Sequence, residues 1–209
     1  MRDTMRQKLA RHGPGLVSRR WMLALAALSL ALAACDTPNP GVEFPDLTFT
    51  HKPPIQLAVG KVRIINEYKM PFKTPNVEHL APVAPGAAGE RWAADIVEPV
   101  GRELTALFVI TQAAITEEKL KIKTGVQGLF SIDQSERYIT ELEARIDIFD
   151  GSKRLGTARA LASRSQTARE DTTPNQRAKL LYALVERLMA DFDDEMRRQV
   201  ETHLTDFLR

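Results

Sequence analysis

Between Tyr138 and Phe149 the chain keeps a period of two. Tyr138, Leu142, Ala144, Ile146 and Ile148 fall on one side, and Glu141, Glu143, Arg145 and Asp147 fall on the other. Only a strand with one buried and one wet face satisfies that pattern, so the chain must build a sheet covered on one side. Asp150-Gly151 then supplies a tight turn. The return strand, about Lys153 to Gln166, carries Gly156, Ala158, Ala160 and Ala162 on one face. Small side chains there let a helix lie close to the sheet and argue for tight packing over a hollow interior.

That helix has a marked start. Thr173 can cap it, Pro174 suits its first position, and Gln176 can complete a capping box. Leu181, Leu184, Leu188, Phe192, Met196, Val200, Leu204 and Phe207 run down one side. The helix is expected to span about 35 residues, or about 52 Å, longer than a small sheet needs. Either its last turns overhang and bind something, or they cover loops of the same domain; the overhang is the reading adopted. Asp191, Asp193, Asp194 and Glu195 read as a solvated face, because carboxylates crowded along a helix diverge and cannot converge on one cation.

Upstream, Ile55 to Tyr68 reads as a first strand, with a bulge near Gly60 to reconcile its two apolar faces. Lys69 to Gly89 is a long connection holding Pro71, Pro75, Pro82, Pro85, Gly86 and Gly89, with apolar points at Met70, Phe72, Val77, Leu80 and Val83. It is either a contact loop for a partner or a meander packed on its own domain. Residues 90–107 read as an amphipathic helix with a stripe at Trp92, Ile96, Val100, Leu104 and Leu107, kinked at Pro99. Phe108 to Ile122 reads as a second strand. The expected fold is α+β: a small antiparallel or mixed sheet of about four strands packed against two helices, the C-terminal one long.

The N-terminal part is of another kind. A basic stretch ends at Arg19-Arg20, and Trp21 to Ala34 follows without a charge. Fourteen helical residues span roughly 21 Å, short of a hydrocarbon core of about 30 Å. The run reads as the apolar centre of an export signal. Leu32, Ala33, Ala34 and Cys35 resemble the bacterial lipobox. That resemblance implies cleavage before Cys35 by a signal peptidase that recognises Leu32, Ala33 and Ala34, and a diacylglyceryl group on the Cys35 thiol. Acylation of the new amine would complete a stable anchor. Cys35 is the single cysteine, so no intrachain disulfide is possible. Ser18-Arg19-Arg20-Trp21-Met22-Leu23 partly resembles the twin-arginine motif, but Met22 and Ala24 depart from it, and a general secretory signal is the reading adopted. Asp36 leans toward retention on the inner membrane. Residues 1–34 are thus read as a removed signal, 35–54 as a lipidated, Pro-rich tether (Pro38, Pro40, Pro45, Pro53, Pro54), and 55–209 as one domain. Phe44, Leu47 and Phe49 could dock back on that domain.

Charge and motif content narrow the function. Six basic residues against Asp3 give residues 1–34 a charge of +5, so with a total of +2 the remainder carries −3. A mildly acidic domain offers no electrostatic case for nucleic acid. No phosphate-cradling glycine motif, Gly-x-Ser-x-Gly elbow or His-Glu-x-x-His is present, and His51, His79 and His203 share no metal-ligand spacing. No enzyme, no metal and no cofactor are expected beyond the covalent lipid.

The order strand, helix, three strands, helix, behind a lipobox and a Pro-rich tether, resembles the small auxiliary lipoproteins of envelope transport systems, such as the PqiC-like and LptE-like groups. Pro75-Asn76-Val77-Glu78-His79-Leu80 and Gln134-Ser135-Glu136-Arg137-Tyr138 are similar to segments of a group of uncharacterised bacterial lipoproteins. These resemblances imply a non-enzymatic, periplasm-facing accessory or adaptor subunit of an envelope complex. Its expected partners are a membrane, through the anchor, and an envelope protein. The alternatives are a carrier of lipid or another apolar ligand and, more remotely, a hydrolase. The expected protein contacts are Met70, Phe72, Val77 and Leu80 in the long loop and Phe207 at the end of the last helix.

Overall fold

The computed structural model describes residues 43–120 and 134–209; the signal, Leu32 to Cys35 and Asp36 lie outside the described residues. In chain order the elements are β1 (Ile55–Leu57), β2 (Lys61–Asn66), helix α1 (Pro85–Ile96), β3 (Val97–Pro99), β4 (Thr105–Lys119), β5 (Gln134–Asp150), β6 (Lys153–Arg169) and helix α2 (Pro174–His203). Short 3₁₀ turns occupy Glu78–Leu80 and Thr205–Phe207.

The main sheet has the order β2-β4-β5-β6. β4, β5 and β6 form an antiparallel meander, whereas β2 runs parallel to β4. A parallel pair needs a crossover, and the segment containing α1 provides it. A second, two-stranded parallel sheet joins β1 to β3. The fold is α+β, as the sequence implies.

Both helices pack on the dry face. Trp92 of α1 lies 5.6 Å from Phe108 of β4 and 5.2 Å from Phe192 of α2, the latter edge-on, and Phe108 meets Phe192 at 6.3 Å. Rings in this tilted and edge-to-face geometry add packing energy beyond their buried area. Ala158, Ala160 and Ala162 of β6 are buried beneath α2. Gly156 sits so close to Leu204 that a Cβ there would come within 2.8 Å of it. The opposite face of the sheet carries two ion pairs, Arg145 with Asp147 along β5 and Arg159 of β6 with Glu143 across on β5. The capping box at Thr173 and Gln176 is present, with Pro174 in the first turn.

Several expectations need correction. Ile55 to Tyr68 is two strands in two sheets, because the chain changes sheets at Gly60 instead of bulging there. The helix expected over 90–107 covers Pro85–Ile96. The helical run ends at Ile96, ahead of Pro99, because Val97–Pro99 is extended and joins β1; Leu107 belongs to β4. The long connection therefore stops at Ala84, since Gly86 and Gly89 are helical and buried. Helix α2 has 30 residues, about 45 Å. Its end does not overhang: Leu204 is buried, Phe207 is half-buried against the core, and Ala58 N–H donates to the Phe207 carbonyl at 2.7 Å.

Residues 43–54 lie along the domain. Phe44 stacks on Tyr182 at 5.2 Å, and Phe49 is buried in the core with Leu47 packed beside it. The Tyr182 hydroxyl donates to the Pro45 carbonyl, and Arg197 donates to that of Pro53. The docking alternative for Phe44, Leu47 and Phe49 is the one observed.

Candidate functional site

The loop after β2 combines a fixed base with an exposed crest. Its first leg leaves β2 at Asn66, whose side-chain oxygen accepts from Tyr68 N–H at 3.1 Å. Its second leg takes over the edge of β4 that β2 has vacated. Val77 N–H donates to the Ile115 carbonyl and Glu117 N–H to the Pro75 carbonyl, both at 2.8 Å, with Asn76 bridging to Thr116.

Glu78 joins the two legs. Its side chain is fully buried and accepts the Tyr68 hydroxyl at 2.6 Å, Ile115 N–H at 3.3 Å and the Asn76 amide at 3.4 and 3.5 Å. Burial, reinforced by the adjoining Glu78 carboxylate, pushes the Tyr68 hydroxyl well above the usual tyrosine range. A buried carboxylate with this many donors is a staple, since each donor would otherwise be left unsatisfied beneath the loop.

The crest stands on this base. Phe72 is 70% exposed and Leu80 55% exposed. The Phe72 ring leans on His79 at 5.6 Å. Phe72 has φ of 54°, a left-handed conformation uncommon for a bulky residue, and such strain gathers where a side chain must be presented. Of the expected contact residues, Phe72 and Leu80 are thus in the open and Met70 is half-buried, all three on one loop. Val77 is buried against β4, and Phe207 belongs to another part of the molecule. Glu78 and Tyr68 escape sequence reasoning, because only the strand pairing brings them beside Ile115.

Glu78→Gln turns one accepting oxygen into a donor facing other donors. The expected cost is about 1–2 kcal/mol, with faster hydrogen exchange at the Val77 and Ile115 amides. Unchanged exchange there would show that the staple does not hold the loop.

A second buried carboxylate, Asp193 of α2, accepts Trp92 Nε1 at 2.8 Å, Lys52 Nζ at 2.7 Å and Arg197 Nε at 3.1 Å. The cluster expected to be a solvated face therefore contains one buried member; Asp194 beside it is exposed. A third group sits where the end of β4 pairs with the start of β5. Tyr138 hydroxyl donates to Glu136 at 2.6 Å, and Arg177 bonds both Glu136 and the same hydroxyl. Burial and the neighbouring Glu136 and Glu117 raise the Tyr138 hydroxyl far above its usual range. Among the described residues, no three His, Cys, Asp or Glu side chains gather as metal ligands, and no helix is long and apolar enough to cross a membrane. The surface depressions are open; one of about 530 Å³ is formed by Arg137, Ile139 and Ser163 to Thr167.

Together these features define a two-layer α+β domain with a packed core and a few exposed apolar side chains. No protein-family model matches the chain, and no curated protein matches its sequence. Among solved structures, rare lipoprotein B from Shewanella oneidensis is similar at 10% identity and a TM-score of 0.35, over 68% of this chain and 95% of that one. At that overlap nothing of the neighbour's role passes to this chain.

Proposed function

We propose that this chain is a lipid-anchored, non-enzymatic accessory protein of the bacterial cell envelope. Cys35 hooks it to a membrane, with the inner one favoured by Asp36, and the domain works on the periplasmic side by docking onto an envelope protein. The observation that supports docking is the contrast between the two faces of the main sheet. The dry face is filled: Trp92, Phe108 and Phe192 interlock, and Ala158, Ala160 and Ala162 are buried beneath α2. A carrier needs an apolar cavity to hold its ligand. The wet face instead offers Leu155 and Leu161, both exposed on the same side of β6, among the ion pairs of Glu143, Arg145, Asp147 and Arg159. Apolar side chains set among polar ones are the make-up of a surface that meets another protein.

Labelled palmitate is expected on the wild-type chain and not on Cys35→Ser, which leaves the membrane fraction. A photo-crosslinking residue at Leu161 is expected to yield one discrete adduct with an envelope protein, and the same residue at Lys179 on α2 none. Equal labelling at both positions, or a lipid that co-purifies with the domain in native mass spectrometry, would overturn docking in favour of non-specific contact or carriage.

A further inference from the structure

The crest of the loop after β2 takes no part in that wet face. We propose that Phe72 and Leu80 enter the interfacial region of an anionic phospholipid bilayer, a second membrane contact that rests on the reading of Cys35 as a lipid anchor. From Tyr68 to Pro82 the loop carries two cations, Lys69 and Lys73, both exposed and without an ion pair among the described residues. Of the loop's two acids, Glu78 is buried, and Glu67, exposed at the foot of the first leg, pairs with Arg145 of β5. The solvent side of the crest is thus apolar at its tip and cationic on its shoulders, with the exposed carboxylate of Glu67 held back at its foot by Arg145. That pairing suits a bilayer surface, where acyl chains take the apolar side chains and phosphates take the ammonium groups.

A protein partner fits less well. A stable protein interface buries about 1,200 Å² or more, whereas the crest offers two projecting side chains. Two side chains would also be too little to hold a free domain on a membrane. A chain already held there by a covalent lipid meets the bilayer intramolecularly, and a weak contact is then enough. The staple at Glu78 and the strand pairing of Pro75 to Val77 hold the crest in shape before contact, so little ordering entropy opposes insertion.

The test uses the full-length lipoprotein carrying Phe72→Trp, reconstituted in phosphatidylethanolamine–phosphatidylglycerol vesicles with brominated acyl chains. The remaining indole of the processed chain, Trp92, is fully buried and serves as a constant background. The introduced indole is expected to shift to the blue and be quenched. Both effects should fall in phosphatidylcholine vesicles and on adding Lys69→Gln with Lys73→Gln. Removing two lysine contacts with an anionic surface shifts such an equilibrium by about thirty-fold. A chain that floats with the vesicles while its indole keeps solvent-like, unquenched emission overturns this proposal alone. So does emission that changes only when membrane proteins are added, which assigns the crest to a protein. A chain that does not float removes the anchor, and this proposal with it.

Discussion

Asp193→Ala is expected to lower the stability of the domain by about 4 kcal/mol. With a urea slope of about 2 kcal/mol/M, that is a fall of about 2 M in the unfolding midpoint. The size follows from what the carboxylate leaves behind. Lys52, Arg197 and the Trp92 indole all donate to it inside a nearly closed site, and alanine strands all three. The effect has a pH signature. Burial alone would raise the Asp193 pKa, but hydrogen bonds from Arg197, Lys52 and Trp92 outweigh it and hold the group below its ordinary 3.8. A depressed pKa stabilises fully above the unfolded value and loses that contribution as pH falls through the folded one. The gap between wild type and Asp193→Ala is therefore widest above about pH 5 and narrows as pH falls through the depressed value. A gap independent of pH, or a loss under about 1 kcal/mol, would mean that the site is open to water.

Gly101→Ala is expected to cost about 3 kcal/mol, or to prevent folding, although it adds one methyl group. The links from β1 to β2 and from β3 to β4 cross with a glycine on each. A Cβ on Gly101 would lie 2.4 Å from the Ala58 carbonyl carbon, and one on Gly60 would lie 2.2 Å from the Arg102 carbonyl oxygen. Backbone cannot swing aside as a side chain can, and hydrogen bonds from Gly101 N–H to Val59 and from Gly60 N–H to Leu104 pin the crossing. Gly151 is the control. It lies at φ of 57° in the tight turn with open space around it. Asparagine tolerates that conformation, so Gly151→Asn should stay within about 0.5 kcal/mol of wild type in the same unfolding experiment. Comparable losses at the two glycines would show that crowding at the crossing is not the cause.

The sequence reads well where neighbours in the chain decide the structure. The β5–β6 hairpin follows from alternation and Asp150-Gly151, and the start of α2 from the Thr173 box, because strand pairing across a tight turn and helix capping are local. It reads badly where distant segments decide. Val100, Leu104 and Leu107 continue the spacing of Trp92 and Ile96 by coincidence, and the extended pairing of Val97 with Ile55 breaks the helix before Pro99 does. Asp193 looks solvated beside Asp191, Asp194 and Glu195 because Lys52, the partner that makes its burial tolerable, lies 141 residues away. Phe207 looks free because nothing near it says that β1 is waiting. The candidate loop was legible in part. Its prolines and apolar points announce it, but which of them stay outside depends on Pro75 to Val77 pairing with β4, which no local pattern encodes.

The seating of Phe207 to Arg209 against β1 bears on the order in which contacts form. Leu208 bridges to Leu57, Arg209 N–H donates to the Gln56 carbonyl, and Ala58 N–H donates to the Phe207 carbonyl. The edge of β1 is therefore completed by residues that follow helix α2, with every other element lying between them in the chain. Contacts of such long sequence separation form late, since the whole intervening loop must close first. Until Phe207 to Arg209 dock, β1 keeps an incomplete edge, so this corner of the domain closes only after the elements between them have come together.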